Sequence, residues 1–276
     1  MFEIASFMAI GLVVAFAVAS RLDPLQKKKL KGGVNRFFEW MEDRGHLARM
    51  PSFDPGGYKD YPELRVLEEH WKEIAAECAV LMERRDVLVP MQKLGGGYTV
   101  SEIHAADWKT LMFKSGRFIE ENCLLAPRTA ELLASIPGAD TAFFSVLEPG
   151  ERIEPHWGYY KGFVRYHLGV LIPYNNVNGE CFIRLNSDPD VKRTQARERI
   201  DEGVAYYWKN GEGVFFDDTH LHDAHNRSDR VRVVLFVDVR KKMPAPLRWL
   251  NQLFVFIAHS DSSVRRIREN ARIRTS

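Results

Sequence analysis

The chain has little of what marks several protein classes. Its 276 residues include only three cysteines, Cys78, Cys123 and Cys181. They are odd in number, widely spaced and form no CxxC pair, so neither a zinc ribbon nor a disulfide framework is supported. Isolated buried thiols fit this pattern and a reducing compartment. There is no GxGxxG and no GxxxxGK[ST], so no loop for nucleotide phosphates is supported. No internal repeat is present. A net charge of +2 is too small to point to nucleic acid as a partner. No charged residue falls between Ile4 and Ser20.

That last absence is itself a signal. Ile4 to Ser20 is mostly apolar and just long enough to span a bilayer, which takes about 17–25 residues. Lys27, Lys28, Lys29 and Lys31 follow it, and only Glu3 precedes it. Positive charge behind the span places the body of the protein on the cytoplasmic side of a single-pass anchor. A cleaved export signal ending near Ala17–Ser20 is the other reading. The expected organisation is a membrane anchor over 1–22 and a basic linker with a short helix over 23–60. A folded domain over 61–242 follows, then an amphipathic helix with a basic tail over 243–276. With 45% hydrophobic residues, the chain can bury a large core.

Within the folded region, Pro62 to Arg85 is the clearest helix. Leu64, Leu67, Trp71, Ile74, Cys78 and Leu81 recur at three- and four-residue steps and form one packing stripe. A second helix is entered through Ala126-Pro127. Short strands are expected at Trp108–Phe113, Ala142–Leu147, Tyr166–Pro173, Glu180–Leu185, Gly203–Trp208, Gly213–Phe216 and Arg230–Val239. Many short strands with regular turn signals favour an antiparallel sandwich or barrel over a parallel sheet.

Two polar stretches carry the chemistry. The first, Glu148 to Gly169, holds His156, Arg165 and His167. The second, Phe215 to His225, holds His220, His222 and His225, and Arg232 lies just beyond it. Neutral imidazoles suit Fe(II), and an iron that must also bind a chelating acid and O2 needs few protein ligands. A guanidinium matches a carboxylate bidentately. Two histidines on different strands and an arginine about one strand-length further on meet that need. His156, His222 and Arg232 supply such a set.

These residues sit in an ordered series of motifs. Trp108 is followed by Asn122-Cys123 and Ala126-Pro127-Arg128-Thr129. Ser145, Pro149-Gly150 and His156-Trp157-Gly158 come next. Arg165-Tyr166-His167-Leu168-Gly169, Ile172-Pro173 and Phe216-Asp217-Asp218-Thr219 precede His222, Arg232 and Val237-Asp238-Val239. The series resembles the aspartyl/asparaginyl β-hydroxylase family of iron/2-oxoglutarate dioxygenases, which includes bacterial lipid A 2-hydroxylases. The resemblance covers close to half the chain, from about Trp108 to Val239. It implies a mainly β fold with flanking helices: a double-stranded β-helix, or cupin-like jelly roll, beside the N-terminal transmembrane helix. It implies Fe(II), 2-oxoglutarate and O2 as cofactors. His156 and His222 look like the iron ligands, and Arg232 with Ser145 like the partners of the distal carboxylate. Arg165 and His167 look like contacts to the metal-proximal carboxylate. Spacing to Arg232 and to Phe216-Asp217-Asp218 selects His222 over His220 and His225. Asp217, Asp218 and Asp223 read as surface carboxylates or as groups orienting a histidine.

Gly158 stands where most iron/2-oxoglutarate enzymes place a carboxylate ligand. The position is then open to water, as for hydroxylation, or to halide, as in halogenases. Trp108, Phe143 and Phe163 are candidate substrate residues. Members that act on acidic side chains place basic residues near the substrate carboxylate, and at two such positions this chain has Phe143 and Phe163. That leans towards the acyl chain of a membrane lipid and away from a peptidyl aspartyl or asparaginyl side chain. A halogenase-like enzyme and a non-catalytic jelly-roll binding module are the alternatives.

Overall fold

A computed structural model describes residues 24–95, 107–259 and 261–274. The expected membrane span at 4–20 lies outside the described residues. Among those described, no helix is long and apolar enough to cross a membrane. The chain divides into two compact units, Met1–Arg49 with Lys242–Arg265, and Met50–Lys241 with Arg266–Ser276. In the first, helix Pro24–Asp43 buries Val34, Phe38 and Glu42 at four-residue steps. Helix Ala245–His259 buries Leu247, Asn251 and Val255 in the same rhythm. Each therefore hides one narrow face.

Among the described residues, the second unit is built on eleven strands. In chain order they are β1 (Val89–Pro90), β2 (Trp108–Ser115), β3 (Arg117–Phe118), β4 (Ala139–Leu147), β5 (Arg152–Trp157) and β6 (Phe163–Leu171). Then come β7 (Cys181–Asn186), β8 (Val204–Tyr207), β9 (Gly213–Phe216), β10 (Leu221–Asn226) and β11 (Arg232–Arg240). All pairings are antiparallel. One sheet runs β1-β2-β4-β11-β6-β9, with β3 on β2, and the other runs β5-β10-β7-β8. Taking β4 to β11 as first to eighth, the two orders are one-eight-three-six and two-seven-four-five. Apart from the hairpin of β7 and β8 in the small sheet, successive strands alternate between sheets in the manner of a jelly roll.

Strand period two gives the large sheet two different faces. Val233, Leu235, Val237 and Val239 of β11 point to an outer core covered by helices. Val234 and Phe236 point to an inner core shared with the small sheet. The covering helices hold Leu64, Leu67, Ile74, Cys78 and Leu81 against the outer core, as the stripe predicts. The expected single helix is broken, however. A 3-10 turn, Pro62–Leu64, leads into Arg65–Glu69, and Trp71–Glu83 starts afresh after His70. Trp71 then lies against Gly211, where a Cβ would stand 2.8 Å from the indole. Gly211 also has φ +78, so glycine is favoured there on both counts.

The helix Pro127–Ala134 is capped from outside. Glu77 of the neighbouring helix accepts the Arg128 and Thr129 N–H groups, each at 2.8 Å, and the Thr129 hydroxyl at 2.7 Å. These are amide groups that a helix start cannot satisfy internally. Asn122 has a similar tying role. Its side chain donates to the Met112 and Ala271 carbonyls, both at 2.8 Å, and accepts from Ile273 N at 2.9 Å. Ile267 and Ala271 are buried in the inner core. This stretch of the basic tail is therefore docked to the jelly roll and not simply solvated.

Candidate active site

The site lies between the sheets, on the inner face of the jelly roll. On β10 and β5, His222 and His156 are direct cross-strand partners, and their ring centroids are 4.2 Å apart. Each ring is oriented the same way. His156 Nδ1 donates to the Glu154 carbonyl at 2.8 Å, and His222 Nδ1 to the His220 carbonyl at 2.9 Å. A carbonyl only accepts, so the proton sits on Nδ1 and each Nε2 keeps its lone pair. This is the tautomer a metal-binding imidazole requires. Burial, reinforced by His156 and Arg165, holds the His222 imidazole well below its ordinary pKa and therefore neutral. Among the described residues no cluster of three or more His, Cys, Asp or Glu is arranged to hold a metal. The candidate centre is a two-histidine pair.

The other two histidines of the second stretch go elsewhere. His220 supplies the carbonyl that orients His222. His225 faces the opposite side of β10, 2.9 Å from Asp223 and stacked on Phe182 at 4.5 Å.

Gly158 has a steric explanation. Its N–H donates to the Asp218 carbonyl at 2.7 Å. A Cβ there would collide with the Asp218 carboxylate and its backbone oxygen. The space a carboxylate ligand at 158 would need is already filled by a carboxylate from the stretch before β10. Asp218 is paired with Arg165 at 2.8 Å. Burial pushes its carboxyl up to about 7, against the pull of Arg165. Asp238 of β11 grips the same guanidinium at 2.9 and 3.1 Å, and Arg165 also lies 4.1 Å from the Phe236 ring centroid. Arg165 is thus held in place by two carboxylates.

A group of buried nitrogens without partners among the described residues also lies on the inner face. Arg232 is 1% exposed. Its Nη1 is 3.4 Å from the Ser145 carbonyl, while Nε and Nη2 are buried without a partner among the described residues. Both ring nitrogens of buried His167 are in the same state. A desolvated, unpaired guanidinium is costly. Burial brings the Arg232 pKa down only to about 10, so it stays charged at neutral pH. Burial, with Arg165 and Arg232 nearby, keeps His167 neutral. These orphaned nitrogens fit an anion rich in acceptors. Ser145 is prepared for the same task, because Trp108 Nε1 donates to its Oγ at 2.9 Å. That contact occupies an acceptor site and turns the hydroxyl hydrogen elsewhere.

The candidate substrate residues therefore have mixed positions. Trp108 stands behind Ser145. Phe143 is fully buried and stacked on Phe236 at 4.1 Å. Phe163 is half-buried, edge-on to Tyr160 at 5.6 Å. Sequence reading missed the Gly158–Asp218 packing, the Asp238 clamp and a buried tryptophan, Trp208, which lies under Arg232. Contacts between distant strands leave no local pattern to read.

A jelly roll whose inner face carries two histidines anchored through Nδ1, with buried partnerless nitrogens of Arg232 and His167 on the same face, defines the fold class as cupin-like. Residues 68–242 match the family model described as aspartyl/asparaginyl beta-hydroxylase. The chain belongs to that family. It is 30% identical over 213 residues to the ornithine lipid ester-linked acyl 2-hydroxylase of Rhizobium tropici, covering 77% of this chain and 68% of the relative. It is 25% identical over 231 residues to the aspartyl/asparaginyl beta-hydroxylase of Homo sapiens, covering 75% of this chain but only 27% of that protein. A solved prolyl-4-hydroxylase of Pseudomonas putida aligns over 63% of this chain and 87% of its own, with a TM-score of 0.39 and 16% identity.

Proposed function

We propose that the chain is an iron(II)- and 2-oxoglutarate-dependent hydroxylase acting on the acyl chain of a membrane lipid. The observation that carries the reading is the pairing of His156 and His222, both with Nδ1 bound to carbonyls, beside the partnerless nitrogens of Arg232 and His167. His156 and His222 would hold the iron. Arg232, helped by Ser145, would hold the distal carboxylate of 2-oxoglutarate, and Arg165 with His167 its metal-proximal end. Once bound, iron and 2-oxoglutarate supply the activation of O2 for insertion into an unactivated C–H bond. The chain's own part is to orient both histidines, fix the acid and exclude water.

Hydroxylation fits better than halogenation. The space beside Gly158 is taken by the Asp218 carboxyl group, which disfavours a halide there. A non-catalytic binding module would have no need of His156, His222 and Arg232 all together. For the substrate, the apolar character of Phe143 and Phe163 and the name of the Rhizobium relative support an acyl chain. The human relative's name keeps a peptidyl aspartyl or asparaginyl side chain as the second reading. Action at a membrane, through the apolar segment 4–20 with the domain on the cytoplasmic side, belongs to the same proposal.

The test is anaerobic loading with Fe(II), then addition of 2-oxoglutarate, oxygen and membrane extract. Wild type should release succinate, and His222→Ala should not. Absence of iron binding and of succinate in wild type would sink the enzyme reading. Mass spectrometry of lipids and peptides from a deletion strain separates the two substrate classes. Hydroxylated lipid, lost on deletion, is the expected result.

A further inference from the structure

Trp208 follows β8 in the small sheet and is completely buried. Its backbone N–H bonds to the Cys181 carbonyl at 3.3 Å. Its indole Nε1–H is buried with no acceptor among the described residues. Buried donors in folded proteins are nearly always satisfied, so each exception calls for an explanation. Here the surroundings supply one. The Arg232 guanidinium lies 4.6 Å from the indole centroid, and the His167 ring is 5.9 Å away. Both neighbours also carry partnerless buried nitrogens. The three side chains come from different parts of the fold: Arg232 and His167 from the large sheet, Trp208 from the small one. The three side chains thus cluster between the two walls of the jelly roll, each with a buried nitrogen that has no partner among the described residues.

An indole N–H only donates. It cannot satisfy Arg232, and Arg232 cannot satisfy it. Neutral His167 has one donor and one acceptor nitrogen, and neither is engaged by its neighbours. The donors of Arg232 and Trp208 therefore still lack an acceptor. We infer that Trp208 is a positioning residue for the acid cosubstrate: its Nε1–H donates to the distal carboxylate that Arg232 binds. The ligand class is a 2-oxo dicarboxylic acid. The indole face also restrains the plane of the guanidinium. This inference rests on the 2-oxoglutarate reading of the site and adds the donor from the small sheet.

The experiment compares wild type with Trp208→Phe, which keeps an aromatic ring while removing the N–H and part of the indole's bulk. Binding of 2-oxoglutarate to the Zn(II)-loaded protein is measured by calorimetry. Oxalate, which can chelate the metal but has no distal carboxylate, serves as the control. The expected result is about tenfold weaker 2-oxoglutarate binding, the size of one lost hydrogen bond, with oxalate binding unchanged. In turnover, KM for 2-oxoglutarate should rise about as much, with kcat near wild type. Equal 2-oxoglutarate affinity in the two proteins overturns the role of Trp208. So does an equal loss for both ligands, which would make Trp208 only a packing wall. Failure of wild type itself to bind 2-oxoglutarate would instead overturn the underlying reading. Should Trp208→Phe not fold, wild type is followed by NMR of the indole N–H groups. An indole signal that moves downfield with 2-oxoglutarate and not with oxalate supports the inference, and none moving overturns it.

Discussion

Strand β10 presents two histidines to two different worlds. On its inner face, His222 pairs with His156, and Arg232, His167 and Trp208 lie across the same inner core with nitrogens that have no partner among the described residues. On its outer face, His225 is fully engaged. It meets Asp223 at 2.9 Å and stacks on Phe182, and Asp223 takes two bonds from Arg184 at 3.1 and 2.5 Å. Asp201 completes that cluster through Arg184. Both faces are rich in charge and imidazole, and they lie within one strand. The outer cluster closes on itself and so needs nothing further. The inner one is incomplete, and its missing acceptors describe a ligand.

The sharpest way to break this contrast is to exchange the histidines for alanine one at a time. His222→Ala should abolish metal binding and activity. His225→Ala should leave both intact while lowering stability by about 1–3 kcal/mol, since Asp223 loses a buried partner. Equal loss of metal in both variants, read by metal analysis of the purified proteins, would erase the distinction. Gly158→Ala should come next. Its methyl collides with Asp218, so the Arg165 pairing must shift, at a cost of about 1–3 kcal/mol and most of the activity. Thermal melts and turnover together check it.

On the outer face, Asp223→Asn should cost about 1–3 kcal/mol, by stranding partly buried Arg184, with metal affinity unchanged. The same residue gives a pH test. Burial raises its pKa, but His225 and Arg184 outweigh burial and hold it below its ordinary 3.8. A folded-state pKa below the unfolded one means stability is present above pH 3.8 and is lost as pH falls through the folded value. Wild type should therefore lose melting temperature below about pH 4 more steeply than Asp223→Asn does. The smallest effect is the most telling in sign. Arg232→Met should raise the stability of the ligand-free protein, by up to about 1 kcal/mol, because it removes a buried charge without a carboxylate. The same variant should lose most of the stabilisation by 2-oxoglutarate. A destabilised ligand-free protein would mean Arg232 is structural.

How much of this could be read from the chain depends on whether a feature is local. The strand Gly213–Phe216 follows from a short apolar run next to a turn signal, and the core stripe through Leu67, Ile74 and Cys78 from period 3.6; both appear as expected. The break at His70 does not, because it depends on Trp71 meeting Gly211 far along the chain. Strand β10 is the instructive case. All six residues from Leu221 to Asn226 are buried, yet four of them are His, Asp, His and Asn. Hydropathy reads such a stretch as a polar loop, and only its motif marked His222. Spacing and family resemblance single out His156, His222, Ser145, His167 and Arg232 as candidates, and their roles rest on the proposal above. Trp208 and the Asp218–Gly158 contact were not legible, since they arise where the two sheets and a distant loop close on each other.

The central claim is that the inner face is a binding site awaiting iron and a 2-oxo acid. It is tested most directly by anaerobic titration of 2-oxoglutarate into the Fe(II)-loaded protein, followed through the visible metal-to-ligand charge-transfer band of the chelate. The account predicts a saturable band in wild type and in His225→Ala, weakened in Arg232→Met and absent in His222→Ala. A wild-type protein that takes up iron yet shows no band at saturating 2-oxoglutarate would contradict it.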